Sequence, residues 1–377
     1  MDIATVQANV TALVEGWRPQ RDERLRRRAL DPADFVALAE AGMTLTGVPV
    51  DLGGVWQGLG ESARPVAALC RSLASVDPSL ALVSTMHPTV LTAWSMLPDD
   101  SPASVGEQRR RVLAAARDGA WFGTVSSEPG SGGDLWATRA VATRDSGGGD
   151  GWRLTGDKHM GSGSGVLDFM ITYAVPEGED EPDIFLIDAR GQPWDGSTGA
   201  TLVREWDGHG MAATQSHAFR FDGLKVERHA LGCGFSRLPR FMPVSSYLFA
   251  AVTMGVLDAA HAEAQARLAP RADRLGAYER MAWARAANEI WLAGQAFEGM
   301  ARAIEAGTPL PAVQHGKVAI AELAESAMQL LSRAIGGASF SRANPFGQWS
   351  QDVRALGFLR PPWNLAYDGL VEATLGE

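Results

Sequence analysis

Apolar residues in the first third of the chain recur at helical spacing. Phe35, Leu38, Ala39 and Met43 follow Asp31-Pro32, where an acceptor side chain precedes a proline suited to the first turn of a helix. Gly42 marks the stop, Gly53-Gly54 and Gly58-Leu59-Gly60 form a flexible connection, and Arg64–Val76 and Leu80–Leu97 resume the helical pattern. From about residue 119 to 230 the period shortens. Trp121–Val125, Trp152–Thr155, Phe169–Val175, Asp183–Asp188 and Ala218–Phe221 are short runs rich in Phe, Val, Ile and Thr, divided by Gly, Asp and Pro clusters. They predict a small antiparallel β domain, with a hairpin turn at Ser146–Gly151 and an acidic surface loop at Glu177–Pro182. Beyond about 235 the helical period returns. Ile290, Phe297, Met300 and Ile304 form one stripe, and Ile320, Ala324, Ala327, Met328, Leu331 and Ile335 another, which predicts a bundle of long helices.

Composition narrows the class. The 377 residues suffice for two or three domains with a sizeable core. Lys and Arg total 34 against 44 Asp and Glu, a net charge of −10 that repels phosphate backbones and anionic membranes, so neither nucleic acid nor membrane is an expected partner. Cys70 and Cys233 stand far apart without CxxC spacing, which fits a reducing compartment. The N-terminus lacks a basic region followed by an apolar stretch, and no run is expected to reach the ~18 apolar residues of a membrane span, so the chain reads as cytoplasmic. His209, His217 and His229 are irregularly spaced, and no metal site is expected. The 12 Trp against 4 Tyr stand out, and Trp121, Trp136, Trp152, Trp206, Trp349 and Trp363 are candidates to wall an aromatic pocket.

Two Gly/Ser-rich stretches in the β region carry the sharpest local signal: Ser126-Ser127-Glu128-Pro129-Gly130-Ser131-Gly132-Gly133-Asp134 and Gly156–Gly165 (GDKHMGSGSG). Glycines admit close backbone approach, and consecutive N–H groups with serine hydroxyls suit a pyrophosphate or the edge of a flavin. No Lys-Ser/Thr pair follows the glycines, which excludes a P-loop. Strand-like sequence after Gly165 speaks against a dinucleotide-binding turn.

Ser127–Asp134 (SEPGSGGD) resembles the (Thr/Ser)-Glu-Pro-x-x-Gly-(Ser)-Asp signature of the acyl-CoA dehydrogenase superfamily, and Leu154-Thr155-Gly156-Asp157-Lys158 its Leu-x-Gly-x-Lys strand. Trp206–Met211, Thr214-Gln215-Ser216 and Phe221-Asp222 are similar to the segments that close that family's β domain. Ile335-Gly336-Gly337, Pro345 and Gln351-Asp352-Val353-Arg354 are similar to its bundle motifs, and Pro49–Gly54 to a Pro-x-x-Tyr-Gly-Gly segment. The resemblance implies a multi-domain α+β fold: an N-terminal α-helical domain (1–118), a middle antiparallel β-barrel-like domain (119–232) and a C-terminal four-helix bundle (233–377). It further implies a flavin, FAD or, in a two-component enzyme, FMN. Ser126, Ser127, Gly132, Gly133, Met160 and Ser162 would lie on that flavin, and Arg274, Gly336 and Gly337 would reach it across a subunit interface of a homodimer or homotetramer. Met160 stands where many members place a tryptophan against the ring, and Arg333 where a glutamine usually precedes the glycine pair.

The family's catalytic carboxylate falls eight residues past the Asp of its Arg-Asp-x-Arg motif. Eight past Asp352 is Arg360, and the alternative position on the first bundle helix is Ser245. Neither is the base that removal of a thioester α-proton needs. Arg360 could instead cap a turn or bind a CoA or substrate phosphate. A gapped match would make Asp368, in Tyr367-Asp368-Gly369, the carboxylate. Lys158…Asp168 and Tyr367…Leu375-Gly376 resemble the superfamily's flavin-dependent monooxygenases, which take reduced flavin from a separate reductase, and His87 in Met86-His87-Pro88 matches a pocket histidine of that branch. Two enzymatic readings therefore stand open. One is a monooxygenase served by a flavin reductase; the other is a dehydrogenase of acyl-CoA thioesters served by an electron-transfer flavoprotein. A non-catalytic flavin-binding protein is the third reading.

Overall fold

Acidic N-caps start three of the N-terminal helices. Asp2 accepts from Thr5 N at the head of α1 (Ile3–Trp17), Asp31 from Ala33 N at α3 (Pro32–Glu40), and Asp77 from Leu80 N at α5 (Pro78–Ser95). The computed structural model of the chain describes residues 1–97, 101–145, 151–232, 241–308 and 310–375. Most of the Ser146–Gly151 turn, Cys233 and Gly376 lie outside the described residues. Between α1 and α3 the short α2 (Arg21–Arg24) buries Arg24, which pairs with Asp34 Oδ2 at 2.6 Å and Asp77 Oδ2 at 3.2 Å and so ties the starts of α3 and α5 together. After α4 (Leu59–Ala74), α5 is buried along its length from Pro78 to Trp94, as expected of a helix that is apolar on every side. It packs on β1 at one side and on the first bundle helix at the other. The helix α6 (Ala103–Arg117) precedes the sheet.

Seven strands follow: β1 (Phe122–Thr124), β2 (Val141–Arg144), β3 (Trp152–Gly161), β4 (Phe169–Pro176), β5 (Asp183–Asp188), β6 (Ala200–Arg204) and β7 (His217–Arg228). The pairings β4–β2–β3–β7–β5 return to β4 and close a small barrel, with β1 added beside β4 and β6 beside β7. The expected antiparallel pattern holds for five pairings. β1 and β2, however, run parallel to β4. Long excursions separate each of them from β4, and a parallel pair requires such a crossover. The sequence pattern does not announce β2 and β6, because only one residue of each is fully buried.

The C-terminal part holds three long helices, α7 (Phe241–Leu268), α8 (Ala277–Glu305) and α9 (Leu310–Ile335). The expected fourth is instead broken into α10 (Phe346–Asp352), α11 (Ala355–Phe358) and α12 (Trp363–Leu375), the last two divided at Pro361-Pro362, which cannot continue a helix. This corrects the four-helix expectation. The expectation that no segment is apolar enough for a membrane span is also corrected. Pro243–Arg274 meets that length and composition, and 89% of its apolar window is buried inside the protein as the central bundle helix.

The packing of α4 on α7 is set by Gly255, where a Cβ would stand 2.1 Å from Arg71 O. Gly255→Ala should therefore force the two helices apart and lower stability by roughly 1–3 kcal/mol, read by urea denaturation. Unchanged stability would show that this crossing has slack.

Candidate functional site

A cavity of about 360 Å³ opens where the barrel, α5 and the bundle meet. Leu82, Met86 and Thr89 of α5 form its back wall, Ser245 and Phe249 of α7 one side, and Gln351, Arg354, Phe358, Leu359 and Arg360 the other. The barrel contributes Thr124, Ser126, Ser127, Met160, Ser162 and Tyr173 from its strand ends, with Trp206–Ser216 loop residues closing the rim. The volume and the largely apolar wall with a few converging polar groups suit a small organic ligand. Its lining includes no Asp or Glu among the described residues.

The Ser126–Asp134 loop is held from beneath by a buried ion pair. Lys158 Nζ lies 2.6 Å from Glu128 Oε1 and also donates to Tyr173 O at 2.6 Å and Thr138 Oγ1 at 3.1 Å. Glu128 accepts further bonds from the Thr138 hydroxyl, Arg139 N and Ala140 N, so its carboxylate is saturated by its own fold. Burial raises the Glu128 pKa, but the Lys158, Thr138 and backbone bonds outweigh it and hold the carboxyl below its ordinary value. Burial likewise draws the Lys158 ammonium down against the pull of Glu128. His159 N donates to Ser127 O at 2.8 Å, which fastens the serines to β3. Ser126 is 7% exposed, and its Oγ, on a residue that lines the cavity, has no hydrogen-bond partner among the described residues.

A second hydroxyl set has a fixed polarity. Thr214 Oγ1 donates to Met211 O (2.9 Å), Ser216 Oγ lies 2.7 Å from Thr214 Oγ1, and Ser162 Oγ 2.7 Å from Ser216 Oγ. Each hydroxyl has one proton, and the carbonyl can only accept. All three bonds form only if Ser162 donates to Ser216 and Ser216 to Thr214. Ser162 thus offers only acceptor lone pairs to the cavity. Met160 and Met211, both on the cavity wall, hold φ of 57° and 49°, the left-handed region that non-glycine residues seldom adopt.

Arg360 enters from the loop between α11 and α12. Its guanidinium donates to Ser127 Oγ at 3.0 Å and to Gly133 O, and among the described residues it forms no ion pair. The loop itself is fixed by Ser246 Oγ donating to Arg360 O (3.2 Å) and by the buried Lys317 donating to Pro361 O. Burial pulls Arg360 below the ordinary guanidinium pKa, opposed by Tyr173 and Asp134. A guanidinium nevertheless stays charged in a protein.

Several expected site residues stand elsewhere. Gly132 (φ 62°) and Gly133 (φ 87°) do not line the cavity; a Cβ on them would meet Asn364 Nδ2 at 3.3 Å and Pro362 Cγ at 2.6 Å. Their role here is to seat the loop that carries Arg360. His87 is fully buried behind the wall, donating from Nε2 to Thr44 O (2.8 Å) and accepting Phe122 N on Nδ1 (3.1 Å). Burial drives its pKa to about 4, so it is a neutral brace without a free nitrogen for acid or base work. Asp368 is exposed on α12, away from the cavity lining. Arg274, Gly336 and Gly337 also lie outside the lining, at the protein surface. Of the six tryptophans considered, only Trp206 lines the cavity, with Nε1 donating to Met211 O (3.0 Å). Trp121, Trp152 and Trp349 are buried in cores. Tyr173, Ser246 and Lys317 escaped the sequence reading; the signal for the last two is a polar residue set within an apolar helix.

No sequence-family model and no curated protein matches the chain. Solved structures do. A KijD3 in complex with FMN and a dTDP-linked amino sugar superposes with TM-score 0.84 at 22% identity, covering 99% of this chain and 94% of that one. An electron transferring flavoprotein of Acidaminococcus fermentans gives 0.85 at 17%, covering 100% and 98%, and the methanesulfinate monooxygenase MsuC from Pseudomonas fluorescens 0.74 at 19%, covering 98% and 97%. The chain therefore has the mixed α+β fold of the acyl-CoA dehydrogenase-like, flavin-dependent enzymes.

Two buried groups give measurable consequences. Lys158→Met should cost about 3–5 kcal/mol in urea denaturation, because Glu128 is left buried without its cation. Asp352 accepts Met211 N (2.7 Å) and Gln348 Nε2 (2.9 Å) on Oδ1 where the barrel meets α10, and burial raises its pKa from 3.8 to about 7. A carboxyl whose folded pKa is raised favours folding when protonated, so its contribution is lost as pH rises between about 4 and 7. Asp352→Asn keeps an acceptor for both bonds. Its stability relative to the wild type should rise across that window, measured by denaturation at a series of pH values.

Proposed function

We propose that the chain is a flavin-dependent oxidoreductase that uses reduced flavin and O2 as a monooxygenase. The observation that carries the reading is the charge at the place where a dehydrogenase of this fold needs a base. Arg360 and Ser245 occupy the two candidate positions and both line the cavity, and no carboxylate lines it among the described residues. Asp368, the remaining candidate, is exposed on α12. No carboxylate stands there to take the α-proton of a thioester, and the imidazole on the lining, His209, is exposed to solvent. A solved neighbour named as a monooxygenase supports the same direction.

The residues fit a flavin ring. Ser126 Oγ is an orphaned buried hydroxyl, which a ligand polar edge would satisfy. Ser162 would accept from a ligand N–H, and the walls of Leu82, Met86 and Phe249 would keep water from the ring. When bound, reduced flavin supplies the electrons that activate O2. FMN and FAD both remain consistent with the ring site, and the reduced form would come from a separate flavin reductase. The substrate is a small molecule, with an acyl-CoA thioester the alternative if dehydrogenation is found. A homodimer or homotetramer, supported by Tyr278, Met281 and Trp291 exposed on α8 and Phe340 at 96% exposure beside Gly336-Gly337, would bring Arg274 and those glycines to a partner's flavin. The interior placement of the long apolar helix α7 supports a cytoplasmic enzyme.

Two measurements test this. Acyl-CoA thioesters added anaerobically to the flavin-loaded protein should leave the oxidised flavin spectrum unchanged; bleaching without a reductase would establish the dehydrogenase instead. Reduced FMN, with N–H groups that the oxidised ring lacks, should bind roughly tenfold more tightly than oxidised FMN, the worth of about one hydrogen bond, and Ser162→Ala should remove the difference.

A further inference from the structure

The Arg360 guanidinium forms no ion pair among the described residues, and the Asp134 carboxylate acts on it only from beyond contact distance. It is held by two neutral acceptors, Ser127 Oγ and Gly133 O, and no Asp or Glu lines the cavity among the described residues. Arg360 is half-buried at the cavity wall, and a cation partly withdrawn from water without an ion-pair partner favours a ligand that brings the opposite charge. The loop does not let it swing out. Ser246 and Lys317 hold its backbone on the bundle side, and Pro362 lies against Gly133 on the barrel side. The bonds to Ser127 and Gly133 use two of the five N–H donors of Arg360, which lines the cavity. Arg354, the other cation on the lining, is exposed and bonded to Gln351 Oε1 at 2.9 Å.

We infer that Arg360 is an anion receptor for the substrate, and that the enzyme acts on small molecules with an apolar body and one anionic group such as a carboxylate or sulfinate. The inference rests on the reading of this cavity as the reaction site and adds the substrate class. A planar fork matches a two-oxygen anion, and the apolar residues around it, Leu82, Met86, Phe249 and Phe358, match a hydrocarbon or aromatic body. The same anchoring would orient the body of the substrate toward the hydroxyl-lined end of the cavity.

The test compares benzoate with benzamide, equal in shape and different in charge, by calorimetric titration of the full-length protein with and without FMN. Benzoate should bind roughly tenfold or more tightly than benzamide, the gain of charge-assisted bonds. Arg360→Met should bring the ratio to about one, and Arg360→Lys, which keeps the charge without the fork, should retain part of it. Equal binding of the two probes to the wild type, or no saturable binding of benzoate, overturns the proposal without recourse to any variant. So does a benzoate preference that survives Arg360→Met, or one that is lost in Arg354→Met instead. An Arg360→Met protein that loses FMN affinity with its benzoate preference intact assigns the anion to the flavin, which also overturns it. Failure of the flavin reading appears separately, as absence of FMN binding to the wild type, because the benzoate ratio is measured in its absence as well.

Discussion

The buried contact between Lys158 and Glu128 turns a glycine-rich loop into a wall. Loops of this composition are soft, since glycine leaves the backbone many conformations, and the Ser126–Asp134 segment has three glycines to loosen it. A carboxylate that receives a lysine, a threonine hydroxyl and two backbone N–H groups removes that freedom at one point. The serines are then presented at fixed positions, one with its hydroxyl orphaned, and Gly133 O is placed to receive Arg360. The serine wall of the cavity and the seat of Arg360 on Ser127 and Gly133 rest on this anchor. Residues that look chemical in isolation, Glu128 and Lys158 among them, are consumed in building it.

Arg360 couples the two halves of the site. Its side chain bonds the barrel loop while its backbone is clamped to α7, and the next residue to α9, so barrel and bundle are joined through one residue at the cavity itself. Asp352 makes a second junction nearby through Met211 N, and Gly210 packs so closely there that a Cβ would stand 2.3 Å from Gln351 O. Arg360 therefore braces the cavity as well as lining it, because its side chain and its backbone answer to different parts of the fold.

Much of this was legible in the sequence. The helical and strand periods located β1, β4 and β5 to within two residues at either end, because those strands are buried along most of their length. β2 and β6 were not legible, being mostly exposed, and neither was the parallel direction of β1 and β2, which only the closed barrel determines. The serines at 126, 127 and 162 and Arg360 were found from their motifs and do line the cavity. His87 and the glycine pair were named from the same motifs, but a motif does not say which way a side chain faces. His87 has both nitrogens occupied within the core, and Gly132-Gly133 answers to Pro362 and Asn364, more than two hundred residues away in the chain. The tryptophan excess likewise proved to be mostly core packing, with Trp206 the exception.

The central claim is that this cavity holds a flavin ring beside an arginine left free for the substrate. A crystal structure of the protein with FMN and benzoate tests it most directly. The isoalloxazine should lie inside the cavity, with its polar edge on Ser126 and Ser162 and the benzoate carboxylate on Arg360. A flavin bound elsewhere on the protein, or Arg360 engaged by the FMN phosphate, would contradict it.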